Sequence, residues 1–130
     1  GTTIPFLAGA IGKVFLASMD STEAACIIKE NGLPKFTDHT ITDPDEYLRQ
    51  IQLTRKNGYG LDDEEYIAGV RAAAAPISGK RSTLYAIWGV GFKSVLDDKK
   101  MAELTTGIQE AAEEINELIK GQPLFTPPTA

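Results

Sequence analysis

One cysteine, Cys26, and one histidine, His39, are all that this chain of 130 residues carries of either type. That excludes an internal disulfide and the cysteine and histidine spacings of zinc sites. Thirteen lysines and arginines stand against 18 acids, a formal net charge of -5, and no basic run occurs anywhere. Gripping nucleic acid takes concentrated positive charge, so DNA contact is not expected from this chain's own surface. No apolar run approaches the ~18 residues of a spanning helix, and no membrane partner is expected. A nucleophile elbow and a phosphate-cradling glycine loop are missing, and the one acid cluster, Asp62-Asp63-Glu64-Glu65, lacks the alternating ligands of a calcium loop. No catalytic residue, metal ligand or cofactor is therefore assigned. The lone cysteine is compatible with a reducing cytoplasm, the expected compartment. Gly1 in place of methionine, with no cationic signal start, suggests a piece of a longer or processed protein.

What is present is organised around residues 58–77, GYGLDDEEYIAGVRAAAAPI. Gly58 and Gly60 suit a helix stop followed at once by an extended strand. Four adjacent acids repel one another unless most reach water or find donors, and at least one is expected to fall short of water. Propensity alone makes Val70-Arg71-Ala72-Ala73-Ala74-Ala75-Pro76-Ile77 a helix, since alanine is the best helix former. A strand is the better reading. Pro76 disfavours helical backbone at Ala75, the run is short, and the apolar TLYAIWGVGF that follows supplies a hairpin partner across a polar turn, Ser78 to Ser82. By the two-residue period Leu84, Ala86, Trp88 and Val90 share one face.

Helices are expected on either side of this centre. LAGAIGKVFLASM, residues 7–19, carries one charge, Lys13, and reads as a helix buried on most sides, with Gly9 and Gly12 marking close approach by a neighbour or a ligand. Asp20 and Glu23 form a capping-box spacing ahead of a surface helix that Asn31-Gly32 stops, with Ala24, Ile27 and Ile28 inward and Cys26 read as a small buried hydrophobe. Residues 33–42 form a loop in which a lone His39 makes no dyad. Asp43-Pro44-Asp45-Glu46 starts a helix that runs to Asn57, with Tyr47, Leu48, Ile51 and Leu53 on its apolar side. A last helix follows Asp98, with Met101, Leu104, Ile108, Ala111, Ile115 and Leu118 at spacings of three and four until Gly121, and a proline-rich tail closes the chain.

In this order, AIGKVFLASM, LPKFT, TITDPDEYLRQI, RKNGYGLDDEEYIAGVRAAAAPI and AIWGVGF resemble the effector-binding domain of IclR-type transcriptional regulators, over residues 5 to about 118. The resemblance implies a two-layer α+β domain of GAF or profilin type, an antiparallel sheet with covering helices. It assigns residues 1–121 to an effector domain shortened at its N-terminus and 122–130 to a flexible tail. It also implies homo-oligomers, a small-molecule effector, and DNA contact only through a winged helix-turn-helix absent from this chain. The cleft it implies lies between the sheet and the first helix. Members that bind small keto acids use backbone amides matching Ala10 and Ile11, an acid matching Asp62, and polar side chains where this chain has Ala72, Trp88 and Val90. Only the acid is kept here. Val70 and Ala72 beside Trp88 and Val90 make an apolar face with room near a large aromatic, which suits an aromatic or largely apolar guest. A GAF-like sensory or interaction module of a signalling protein is the alternative, and a small hydrolase using two of the clustered acids is third.

Overall fold

Four alanines cross the middle of the molecule as a strand and not as a helix. In the computed structural model, which describes residues 5–78 and 84–120, they lie in β2 (Val70–Ser78), between β1 (Gly60–Asp63) and β3 (Leu84–Phe92). The sheet is antiparallel throughout, in the order β1-β2-β3. Ala72 and Ala74 face one way, in a cluster with Ala10 and Val14, while Ala73 and Ala75 face the other, against Ile108 and Ala112. All four are at most 1% exposed. Burial under helices on both faces overrides their helix propensity, and methyl-sized side chains let those helices sit close to the sheet. Pro76 pairs with Ala86 on β3 and lies two residues past Ala74, the last position that β1 reaches, so β1 asks no hydrogen bond of it.

One face of the sheet carries α1 (Gly9–Ala17), backed by α2 (Ser21–Asn31) and α3 (Pro44–Asn57), and the other carries α4 (Asp98–Ile119). The α+β class and the antiparallel sheet with covering helices agree with the sequence reading. The three helix starts behave as the capping rules require: the Asp20, Asp43 and Asp97 side chains accept from the backbone N–H of Glu23, Glu46 and Lys100. Gly58 ends α3 in the left-handed region, at φ 80°, and β1 follows within two residues. Behind α1, Leu16, Ala24, Ile28, Tyr47 and Ile51 form a second core.

Some sequence assignments move. The first helix is Gly9–Ala17 and not the whole of 7–19. Cys26 is exposed, because α2 turns Ala24 and Ile28 inward and leaves Cys26 on its outer side. Leu53 is exposed and Thr54, one position on, takes its place on the buried side of α3. Leu118 is 74% exposed. At ~100° per residue it stands roughly 80° away from Ile108, at the rim of the stripe that Ile108, Ala112, Ile115 and Ile119 form. The polar turn at 79–82, Gly121 and the tail at 122–130 fall outside the described residues.

Candidate effector site

Strand register sets the floor of the site. Asp62, Ala72 and Val90 pair across the three strands in one row, and Gly60, Ala74 and Trp88 form the next. Val70, opposite Phe92, flanks the first row. Directly paired residues project to the same side, so these are the α1 face. The helix covers only part of it. Ala72 and Ala74 are fully buried under α1, whereas Trp88 is 42% exposed and Val90 51% exposed along β3.

The first turn of α1 stands over Asp62. A Cβ built on Gly9 would lie 2.7 Å from the Asp62 carboxylate, and Gly9 itself has φ 63°, so glycine is required there both for space and for backbone. Gly12 is required by packing alone, since a Cβ would meet the Leu7 backbone at 2.8 Å. Ala8, the N-cap of α1, contributes no side-chain cap, and no acid stands in the first turn. The opening amides of Ala10 and Ile11 thus form the positive end of a helix dipole without a side-chain partner, a few ångströms from a buried acid.

Asp62 is 5% exposed. Its Oδ1 accepts from the Glu65 N–H at 2.7 Å. Burial outweighs this bond and pushes the carboxyl up to about 6 from the usual 3.8, with the neighbouring Glu65 charge adding to the rise. The nearest ammonium is already engaged: Lys13 Nζ donates to the Leu61 carbonyl at 2.7 Å and pairs with Glu65 Oε1 at 2.9 Å. Glu65 also accepts from the Asp63 N–H at 3.2 Å, so the Lys13–Glu65 pair closes a carbonyl and an N–H on the outer edge of β1. Beyond the cleft, Lys93 and the Gly69 N–H hold Glu64 below its ordinary range, and Arg71 does the same for Asp63.

The structure therefore brings Ala10, Ile11, Asp62, Val70, Ala72, Trp88 and Val90 to one side of one sheet, buried at the α1 end and open at the β3 end. A separate groove of about 430 Å³ lies on the α4 side, along Leu61, Asp63, Arg71, Met101 and Thr105. Two features escaped the sequence reading. Lys13 is a buried partner of Glu65, signalled only by being the one charge in an apolar helix. Thr37 and Thr40, in the loop before α3, donate hydroxyl bonds to the Glu64 and Glu65 carbonyls, and nothing in the local sequence announces that. His39 is exposed, with Nε2 3.7 Å from Glu64. Among the described residues no group of three or more histidines, cysteines and acids is placed to hold a metal ion, and no helix is long and apolar enough to cross a membrane.

Comparison with known proteins agrees with this fold. Residues 1–117 match the family described as bacterial transcriptional regulator IclR, C-terminal. The HTH-type transcriptional regulator BhcR of Paracoccus denitrificans is 31% identical over 119 residues, which cover 89% of this chain and 42% of BhcR. The chain thus spans less than half the length of that relative. Among solved structures, the Thermotoga maritima IclR superposes with a TM-score of 0.82 at 28% identity, over 92% of this chain and 49% of that one. The inducer-binding domain of the PobR transcription factor from Acinetobacter, a double mutant in complex with 3-hydroxybenzoic acid, gives a TM-score of 0.82 at 26% identity, over 91% of this chain and 69% of that one. With the match running over nearly all of its length, this chain belongs to the IclR family of bacterial transcriptional regulators, a family that is not enzymatic, and corresponds to its C-terminal domain.

Proposed function

We propose that this chain is the effector-sensing part of an IclR-type regulator, and that it takes a small ligand with an aromatic or largely apolar body. Such a ligand lies on the α1 face of the sheet. Its polar end meets the Ala10 and Ile11 amides, its ring rests against Trp88 and Val90, and a hydroxyl donates to Asp62. Val70 and Ala72 wall the cleft. The observation that carries the reading is the pairing of a buried acid with a half-exposed tryptophan, in adjacent rows of one sheet face, beneath an uncapped helix start. A small keto acid fits less well, because Ala72, Trp88 and Val90 offer no side-chain hydroxyl or thiol to its oxygens. An anion left underpaired among such groups loses several kcal/mol. An aromatic body compensates by area and stacking. The double mutant of the PobR domain, solved in complex with 3-hydroxybenzoic acid, supports the ligand class by likeness.

DNA contact belongs, in this reading, to a helix-turn-helix domain elsewhere in the protein, and residues 1–121 act as the sensing domain, in homo-oligomers. Trp88 is the only tryptophan, so its emission reports on the cleft. Titrating the chain with a panel of hydroxybenzoates, phenols, pyruvate and glyoxylate while following that emission tests the reading. Saturable quenching by aromatic acids supports it, and a response to glyoxylate or pyruvate alone refutes it.

A further inference from the structure

The loop before α3 reaches the effector site without touching it. Thr37 Oγ1 donates to the Glu64 carbonyl, and Thr40 Oγ1 donates to the Glu65 carbonyl at 2.6 Å. Each carbonyl is one end of a planar peptide unit whose other end is the N–H of the following residue. The 64–65 unit ends in the Glu65 N–H, which donates to Asp62 Oδ1 at 2.7 Å. A rigid relay therefore runs from the Thr37 hydroxyl, through one peptide, to the buried carboxylate, and Thr40 anchors the next carbonyl along, that of Glu65.

The hydroxyls are themselves fixed. Thr40 Oγ1 accepts from the N–H groups of Phe36 and Thr37, at 3.0 and 2.8 Å, and Thr37 Oγ1 accepts from the His39 N–H at 3.0 Å. The turn they hold carries local strain: Glu64 is the one non-glycine residue with positive φ among those described, at 60°. Phe36 packs edge-on against Tyr66, with ring centroids 5.1 Å apart, and ties the same two segments together. Hydrogen bonds in series polarise one another, so the Thr37 donor on the Glu64 carbonyl strengthens the Glu65 N–H that Asp62 receives. Asp62 needs this, since the Lys13 ammonium is committed to Glu65 and the Leu61 carbonyl.

We propose that Thr37 and Thr40 are positioning residues of the effector site, Thr37 aiming the Asp62 carboxylate through the 64–65 peptide and Thr40 holding Thr37's loop and the Glu65 carbonyl in place beside it. The proposal rests on the reading of Asp62 as a ligand contact, but its first test needs no ligand. Carbon-13 NMR of the Asp62 carboxyl follows its titration in the 130-residue chain. In Thr37→Val/Thr40→Val, which keeps side-chain shape and removes both hydroxyls, the midpoint should rise by about one pH unit, a tenfold change in the acid constant. Thr37→Ser/Thr40→Ser, which keeps the hydroxyls, should titrate with the parent. A folded valine variant with the parent's midpoint overturns the proposal. If the double valine variant does not fold, the single variants Thr37→Val and Thr40→Val decide instead: a smaller rise of the midpoint in Thr37→Val is expected on this account, and a parent midpoint in both folded single variants overturns it. Calorimetry with 3-hydroxybenzoate separates the two layers. A parent that binds no aromatic acid while the Asp62 midpoint still moves refutes the effector reading and leaves the positioning role supported.

Discussion

Replacing Asp62 by asparagine should make the protein more stable at neutral pH. The carboxylate is buried, has no cation of its own, and is pushed up to about 6 from 3.8. Between those two values the folded protein holds a proton that the unfolded chain has already lost. Stability contributed by this group is therefore present in full at acid pH, falls as pH rises through that window, and stays at its lower level above it. At about 1.4 kcal/mol per pH unit, the loss above pH 6 comes to about 3 kcal/mol. Asparagine has nearly the same shape, can still accept from the Glu65 N–H, and carries no charge. Part of the gain is offset because its amide hydrogens need partners of their own. The net expectation is about 2 kcal/mol at pH 7.5, which for a chain of this size is a rise in Tm of roughly 6–10 °C. At pH 3, where the parent's carboxyl is neutral in both states, the gain should vanish. Urea denaturation of both proteins at pH 3, 5 and 7.5 is the assay. An Asp62→Asn variant less stable than the parent at pH 7.5, or a difference that does not change with pH, would refute the reasoning. An acid kept at such a cost in an otherwise apolar cleft is the pattern of a residue retained for binding.

Other expectations follow from the same geometry. Lys13→Met leaves the partly buried Glu65 without its cation and should lower stability by about 2 kcal/mol in denaturant unfolding, with Lys13→Met/Glu65→Gln recovering much of it. Affinity for an aromatic carboxylate should fall about three- to tenfold between pH 5.5 and 7.5, because Asp62 loses its proton near the middle of that range and then repels the anion; in Asp62→Asn, calorimetry at the two pH values should find no such fall. The 130-residue chain, with its charge of -5, should give no sequence-specific shift of duplex DNA in a gel, and a salt-sensitive specific complex would contradict the placement of DNA contact elsewhere. Exposed Trp88, Val90, Phe92 and Val95 leave apolar surface along β3 and the turn after it, so sedimentation at high micromolar concentration should find more than monomer.

Much of the fold could be read from local chemistry. Asp20, Asp43-Pro44 and Gly58 mark helix ends because capping depends on residues within a turn of one another, and those marks hold in the structure. The strand over Val70–Ser78 could be recognised against its own propensity because Pro76 and the apolar partner run both spoke for it. The two-residue period likewise placed Trp88 and Val90 on one face, and register then put Ala72 and Asp62 beside them. What could not be read were pairings between distant parts. Lys13 finds Glu65 at a separation of 52 residues, and Thr37 and Thr40 find the 64–65 carbonyls across 27 and 25. No periodicity encodes those partners. Cys26 and Leu53 were misplaced for a smaller reason: on a helix, one position of phase decides between core and solvent, and a short stripe fixes phase poorly.

The claim that matters most is that Trp88 meets the ligand. At 42% exposure it still buries more than half of its surface, so Trp88→Ala should cost about 2–4 kcal/mol of stability, and binding is compared where both proteins remain folded. Calorimetry of parent and Trp88→Ala with 3-hydroxybenzoate and related aromatic acids tests this directly. The account predicts binding by the parent and a loss of at least tenfold in the folded variant. Equal affinity in the two proteins, or tight binding of glyoxylate or pyruvate by a parent indifferent to aromatic acids and phenols, would contradict it.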